Sequence, residues 1–281
     1  MEYLWSLLPL AAILCLGIFV QASAGFAAGL IIVPSLLWCG FNIAEAQAAM
    51  LVATIPQNIG GVWKLRDSIS TERVTIPGIT RVVFYPVGCF LLIGLQSYPM
   101  DRVRQVVGLV VLLVTLAIIF IRPRPQPTLH RAWAWMAFPI SGILQGLVGM
   151  GGPAMVFWVQ AHDWSTRESR GFMFAMYLIS IAPALLVLYL FFGNQIIEPM
   201  VAAGLTSPLL LLVTLLGLKF GDWLGRKRLR RITYGLLLII GLAGVFSPMI
   251  KPDKSIPQRK SAKNATENAS LENAAIREPS K

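Results

Sequence analysis

Charge is scarce in this sequence. Only 13% of the residues are charged against 56% hydrophobic, where a typical soluble domain carries about 25% charged residues. That scarcity excludes a soluble helical protein, which would need a solvated polar face on each surface helix. Chemistry-bearing motifs are missing as well: the chain has no GxSxG, Walker loop, HExxH or CxxC, and no paired carboxylates inside its apolar runs. Without a Walker loop it carries no ATP motor of its own, and without buried Asp or Glu it lacks the usual ligands of a cation carrier. Histidine occurs twice and cysteine three times. Cys15, Cys39 and Cys89 are odd in number, apolar in setting and without ligand spacing, so they read as small hydrophobes. The expectation is a protein that is not an enzyme, with no catalytic residues, no metal site and no cofactor.

What is present is long and apolar. Residues 103–121 and 232–250 each hold at most one charge over the roughly 20 residues that cross about 30 Å of hydrocarbon. Both read as transmembrane helices, and the lipid bilayer becomes the first partner of an all-α integral membrane protein. The start, MEYLWSLLPLAAILCLGIFV, lacks a basic n-region and reads as a retained first helix and not a cleaved signal. The net charge of +11 lies beside apolar segments or near the C-terminus, where it fixes membrane orientation; no nucleic-acid partner is expected.

Eight apolar blocks run over 4–40, 44–63, 74–96, 103–121, 132–160, 171–193, 198–221 and 232–250. The basic, proline-rich stretch 122–131 divides them four and four, giving a first membrane repeat at 1–121, a linker at 122–131 and a second repeat at 132–250. Sliding one half on the other pairs Gln21 with Gln145, Gly25 with Gly149, and Ala27 and Ala28 with Gly151 and Gly152. Each long block is followed by a short polar stretch, FNIAEAQ or DWSTRESR, and then another apolar helix. Duplicated halves are the usual construction of secondary transporters. Residues 251–281 are polar and of mixed charge, and read as a disordered tail.

If every block crossed once, the basic loops 64–73 and 122–131 would face the opposite side from 222–231, against the positive-inside rule. If blocks 4–40 and 132–160 instead enter and return as broken, re-entrant hairpins, those loops fall on one side. The repeats then sit inverted in the membrane.

Glutamine and glycine together inside an apolar helix require a reason. A helix broken at glycines presents backbone N–H groups and partial positive charge at the start of its second half, and such an end binds anions. On that reading the substrate-binding candidates are Gln21, Gly25 and Gly29 in the first copy, with Gly25 and Gly29 as its bend. Gln145, Gly149, Gly151, Gly152 and Pro153 are those of the second. Arg81, about two turns into its block, and Asn58, in a polar segment expected to be unwound beside Pro56, complete the set. The rival reading is a non-transporting membrane subunit or scaffold whose small residues pack helices together, with the glutamines bonding across them. Glu45, His162, Asp163 and Glu168 read as helix-end residues.

The paired motifs QASAGFAAGLIIVP and QGLVGMGGPAMVFW, each opening a half of four blocks around a basic linker, resemble the sulfite exporter TauE/SafE family of membrane permeases over residues 5–250. The first copy departs from the glycine-rich pattern at Ala24, Ala27 and Ala28. The resemblance implies secondary transport of a small sulfur-containing anion, such as sulfite or an organosulfonate, across the cytoplasmic (inner) membrane. A coupling ion or proton, and assembly into a homo-oligomer, are left open as further partners.

Overall fold

The computed structural model describes residues 2–24, 26–120, 126, 130–224 and 226–246. Gly25, most of the linker and the tail expected at 251–281 lie outside the described residues. Among the described residues, eleven α-helices follow one another: α1 (Glu2–Ala24), α2 (Ala28–Trp38), α3 (Ile43–Leu65), α4 (Thr71–Gln96), α5 (Met100–Phe120), α6 (Arg131–Val148), α7 (Gly152–Gln160), α8 (Thr166–Phe192), α9 (Ile197–Leu205), α10 (Ser207–Leu224) and α11 (Arg226–Val245). The one β-type pairing among the described residues is a bridge between Gln126 and His162. The protein is all-α and membrane-spanning in character, as its composition requires.

Thr71–Gln96, Met100–Phe120 and the helical run Arg167–Leu205 are long and apolar enough to cross a membrane. The expected span at 232–250 is a shorter apolar segment, Arg231–Val245, and residues 247–250 are not described. The exterior is apolar: Ile79, Phe90, Leu113, Leu190, Leu212 and Leu215 are all exposed. Such a surface suits hydrocarbon and not water. Trp63, Trp133 and Trp223 project outward near helix ends, where the amphipathic indole settles at the headgroup level.

Both long blocks are broken helices. Helix α1 ends before Ala27, whose backbone is left-handed at φ 91°. Helix α2 then folds back along α1, so closely that a Cβ on Gly17 would collide with Ile32. The bend expected at Gly25 and Gly29 is therefore corrected in part: Gly29 lies inside α2, and a non-glycine residue carries the left-handed turn, an uncommon position for alanine. Helix α6 ends at Gly149, with φ 72°, and α7 returns along α6, placing the Phe138 and Trp158 rings 5.3 Å apart. Pro153 sits in the first turn of α7, where its missing N–H costs nothing.

The helices that follow the two hairpins start alike. Asn42 and Glu45 form a capping box on α3, and Ser165 and Glu168 form one on α8; each satisfies two backbone donors reciprocally. Asp163 remains exposed, and His162 Nδ1 lies 2.9 Å from Trp158 O. Contacts then fix which end each hairpin enters from. Arg73 at the start of α4 meets Glu168 at 3.3 Å and stacks over Trp164, so the ends of α3 and α7 and the starts of α4 and α8 share one end of the bundle. Arg104 at the start of α5 donates to Leu37 O at the end of α2. Since α4 runs its 26 residues between these places, the hairpins enter from opposite ends. Their breaks meet inside: a Cβ on Gly29 would collide with the carbonyl oxygen of Gly149.

Tight helix pairing completes the bundle. Helices α4 and α6 run parallel, with Gly142 against Arg81 O, Gly146 against Tyr85 O and Gly88 against Ile143 O. Helices α5 and α11 run antiparallel, with the backbones of Gly108 and Gly244 against each other. Small residues that let backbones approach are what membrane helices use in place of a hydrophobic driving force.

Candidate functional site

Where the two breaks meet, they enclose a cavity of about 40 Å³, room for about three waters or one small anion. Gln21, Gly29, Arg81, Gln145, Gly149, Gly152 and Pro153 of the expected site all line it. Gly151 does not line it, and its N–H donates to Gln145 Oε1. Asn58 does not line the cavity; it is fully buried in α3, one turn beyond Thr54, which does line it. The unwound segment expected around Asn58 is corrected: α3 is continuous from Ile43 to Leu65 with Pro56 inside it. The single N–H that proline removes is not enough to break a packed membrane helix.

Arg81 is the central group. Only 3% exposed, it donates Nη1 to Ser180 Oγ at 2.9 Å and to Met176 O at 3.2 Å, and Nη2 to Gln145 Oε1 at 3.1 Å. Its guanidinium carbon lies 5.5 Å from the centroid of the Tyr177 ring, a cation–π distance. Its Nε finds no acceptor among the described residues. Every one of these partners is neutral, and among the described residues no carboxylate pairs with Arg81. A guanidinium is always charged, so among the described residues a buried cation has only neutral partners, and a charged side chain inside a membrane bundle marks a substrate or ion pathway.

The backbone donors are distributed differently from the sequence expectation. Gly149 N–H goes to Gln145 O at 2.9 Å, Met150 N–H to Leu144 O at 3.2 Å and Gly151 N–H to Gln145 Oε1 at 3.0 Å. The donors of the second break are thus consumed by the end of α6. What faces the cavity is the first turn of each resumed helix, Ala28, Gly29 and Leu30 of α2 and Gly152 of α7. Neither N-terminus is capped by a side chain, and first-turn N–H groups have no partner within their own helix. The glutamines differ too. Gln145 is a structural hub, whereas Gln21, 4% exposed, receives no hydrogen bond from any described residue.

Below the second break, Gln47 Nε2 donates to Gly146 O at 3.1 Å, and Tyr85 OH donates to Gln47 Oε1 at 3.3 Å. Sequence reasoning passed over Gln47, Thr54, Tyr177 and Ser180. The available signal was a polar residue in the middle of an apolar run, as in MYLISIAP.

The family model for sulfite exporter TauE/SafE matches residues 10–244. The chain belongs to the sulfite exporter TauE/SafE family. It is 24% identical over 254 residues to the probable sulfite/organosulfonate exporter TauE of Cupriavidus necator, covering 89% of this chain and 97% of that protein. No solved structure matches it. Membership in TauE/SafE makes it a multi-pass membrane transporter and not an enzyme. Within this family member, the matched segment contains every residue of the cavity.

Proposed function

We propose that the protein is a secondary permease for a small sulfur-containing oxyanion, sulfite or a short organosulfonate, held at Arg81 and at the first turns of α2 and α7. The observation that carries this reading is the buried guanidinium, without a carboxylate partner among the described residues, facing a cavity closed by two helix N-termini that carry no side-chain cap. Guanidinium and sulfonate or sulfite oxygens make charge-assisted hydrogen bonds, which are about twice as strong as neutral ones. The helix ends add partial positive charge in the same place. Gln21 supplies a further amide. Residues 1–121 and 132–250 act as inverted halves joined by the linker 122–131, in the cytoplasmic membrane, and rock about the site in alternating access.

The packing reading accounts for Gly88, Gly142 and Gly146, which join α4 to α6. It does not account for Arg81. The test is purified protein screened for thermal stabilisation by sulfite, methanesulfonate, thiosulfate, sulfate and acetate, followed by flux of the stabilising anion into proteoliposomes. Stabilisation and flux by the sulfur oxyanions, both strongly weakened in Arg81→Leu, are expected. Equal behaviour of wild type and Arg81→Leu would sink the proposal.

A further inference from the structure

Two residues of the transporter interior remain unexplained by the cavity. Gln57 and Asn58 are 3% and 0% exposed, and none of their four amide atoms is bonded by any described protein group. Buried amides are costly without partners. Both follow Thr54 by three and four residues on α3, so they continue the stripe that Met50, Leu51 and Thr54 present to the cavity.

The helix facing that stripe is α8. Helices α3 and α8 are antiparallel here: Met50 and Leu51 share the cavity with Ile181 and Ala184, while Gly61 further along α3 lies flat against the ring of Phe174. A Cβ on Gly61 would lie 2.5 Å from Phe174 Cδ2. The seam therefore leads from the cavity, past Gln57 and Asn58, to a phenylalanine pressed on a glycine. Beyond it is the end of the bundle that holds Lys64, Arg66 and Arg73, the last of them paired with Glu168. Pro56 stands at the level of the amides and removes one backbone bond of α3, so the helix is weakest where the seam would have to widen.

We propose that the α3–α8 seam is the route of the anion between the cavity and the basic end of the bundle, with Gln57 and Asn58 as its polar step and Phe174, closed on Gly61, as its gate. The proposal rests on the anion-transport reading above. When the Phe174 ring swings off Gly61, the seam hydrates, and the two amides hydrogen-bond the passing anion and its water. Removing the amides then leaves the closed state intact and obstructs passage; removing the ring lets the anion through with the seam unlatched.

The experiment uses the full chain reconstituted in proteoliposomes, with methanesulfonate and sulfite as probes, and Asn58→Leu, Gln57→Leu and Phe174→Ala as variants. For both leucine variants the expected result is a melting temperature no lower than wild type, an anion-induced stabilisation that is retained, and flux reduced at least tenfold. Phe174→Ala should raise passive efflux of the probe severalfold. As an independent reading, Asn58→Cys, in a chain whose three native cysteines are alanine, should react with a water-soluble thiol reagent at a rate altered by the anion. Unchanged flux in both leucine variants overturns the proposal, as does a clear fall in their melting temperature, which would mean the amides are structurally bonded. An Asn58→Cys thiol that never reacts also overturns it. If wild type itself is neither stabilised by nor permeable to the sulfur anions, the anion-transport reading fails; transport with normal flux in the variants fails only the seam.

Discussion

The guanidinium of Arg81 on α4 donates to Gln145 Oε1 on α6 at 3.1 Å, and the N–H of Gly151 reaches the same oxygen at 3.0 Å. One glutamine oxygen thus fixes both the buried cation and the start of the resumed helix α7. The bond holds Arg81 beside the cavity without neutralising it, which leaves its charge available to an anion.

Arg81→Leu is expected to fold, because Ser180 Oγ retains its bond to Met176 O and Gln145 Oε1 retains Gly151 N–H, and because removing the lone charge also removes the cost of burying it. It should lose anion affinity by about ten- to a hundredfold, the value of a charged hydrogen bond of roughly 1.5–3 kcal/mol. Arg81→Lys keeps the charge and loses the planar fork, so binding should fall between the two. Thermal shift against methanesulfonate concentration measures all three chains.

The two glutamines should separate. Gln145→Leu strands Arg81 Nη2 and the Gly151 N–H, and each buried donor left unpaired costs about 1–3 kcal/mol; detergent-solubilised protein should melt at a visibly lower temperature. Gln21→Leu breaks no hydrogen bond to a described residue and should melt like wild type, yet carry less anion. Equal stability losses in both variants would show that Gln21 is structural.

Part of this site is legible in the sequence because glutamine and glycine stand out inside apolar runs. Gln21 and Gln145 matched across the halves point to one place, and that place is the cavity. Two things were hidden. The use of the Gly149, Met150 and Gly151 N–H groups by Gln145 and Leu144 depends on how α6 terminates in three dimensions, which spacing does not reveal. The left-handed turn at Ala27 goes against residue preference, so the first break was expected at the neighbouring glycines. What the sequence could not supply for Arg81 is its partners, since Ser180 on α8 and Gln145 on α6 are brought to it only by the packing of three helices.

Glycines of the two kinds should respond oppositely to alanine. Gly88, Gly142 and Gly146 face backbone oxygens of the partner helix, which cannot move aside without separating α4 from α6, so alanine at any of them should lower the melting temperature. At Gly152 the new Cβ would meet the Tyr177 hydroxyl at 2.7 Å, the end of a side chain that can shift. Gly152→Ala should therefore fold and lose anion affinity by crowding the cavity. Parallel melting curves and anion titrations distinguish the classes.

Arg104 lies far from the cavity and still bears on it. Its Nε and Nη2 donate to Leu37 O at 3.1 and 3.0 Å, its guanidinium lies over the Trp38 ring at 5.5 Å, and Nη1 meets Asp101 at 3.2 Å. A cation on the last carbonyls of a helix satisfies an orphan acceptor and complements the dipole, worth about 1–2 kcal/mol when partly buried. Helix α2 has only 11 residues, so what is fixed at Leu37 also sets where Ala28 and Gly29 sit in the cavity. Arg104→Met should lower the melting temperature and raise the anion concentration needed for half-maximal flux severalfold, with Arg104→Lys recovering part of both. Asp101→Asn should change neither much, because that carboxylate is 56% exposed and exposed pairs contribute about 0–1 kcal/mol. A melting temperature unchanged in Arg104→Met would mean that α2 is held by its helix packing alone, without the Arg104 bonds.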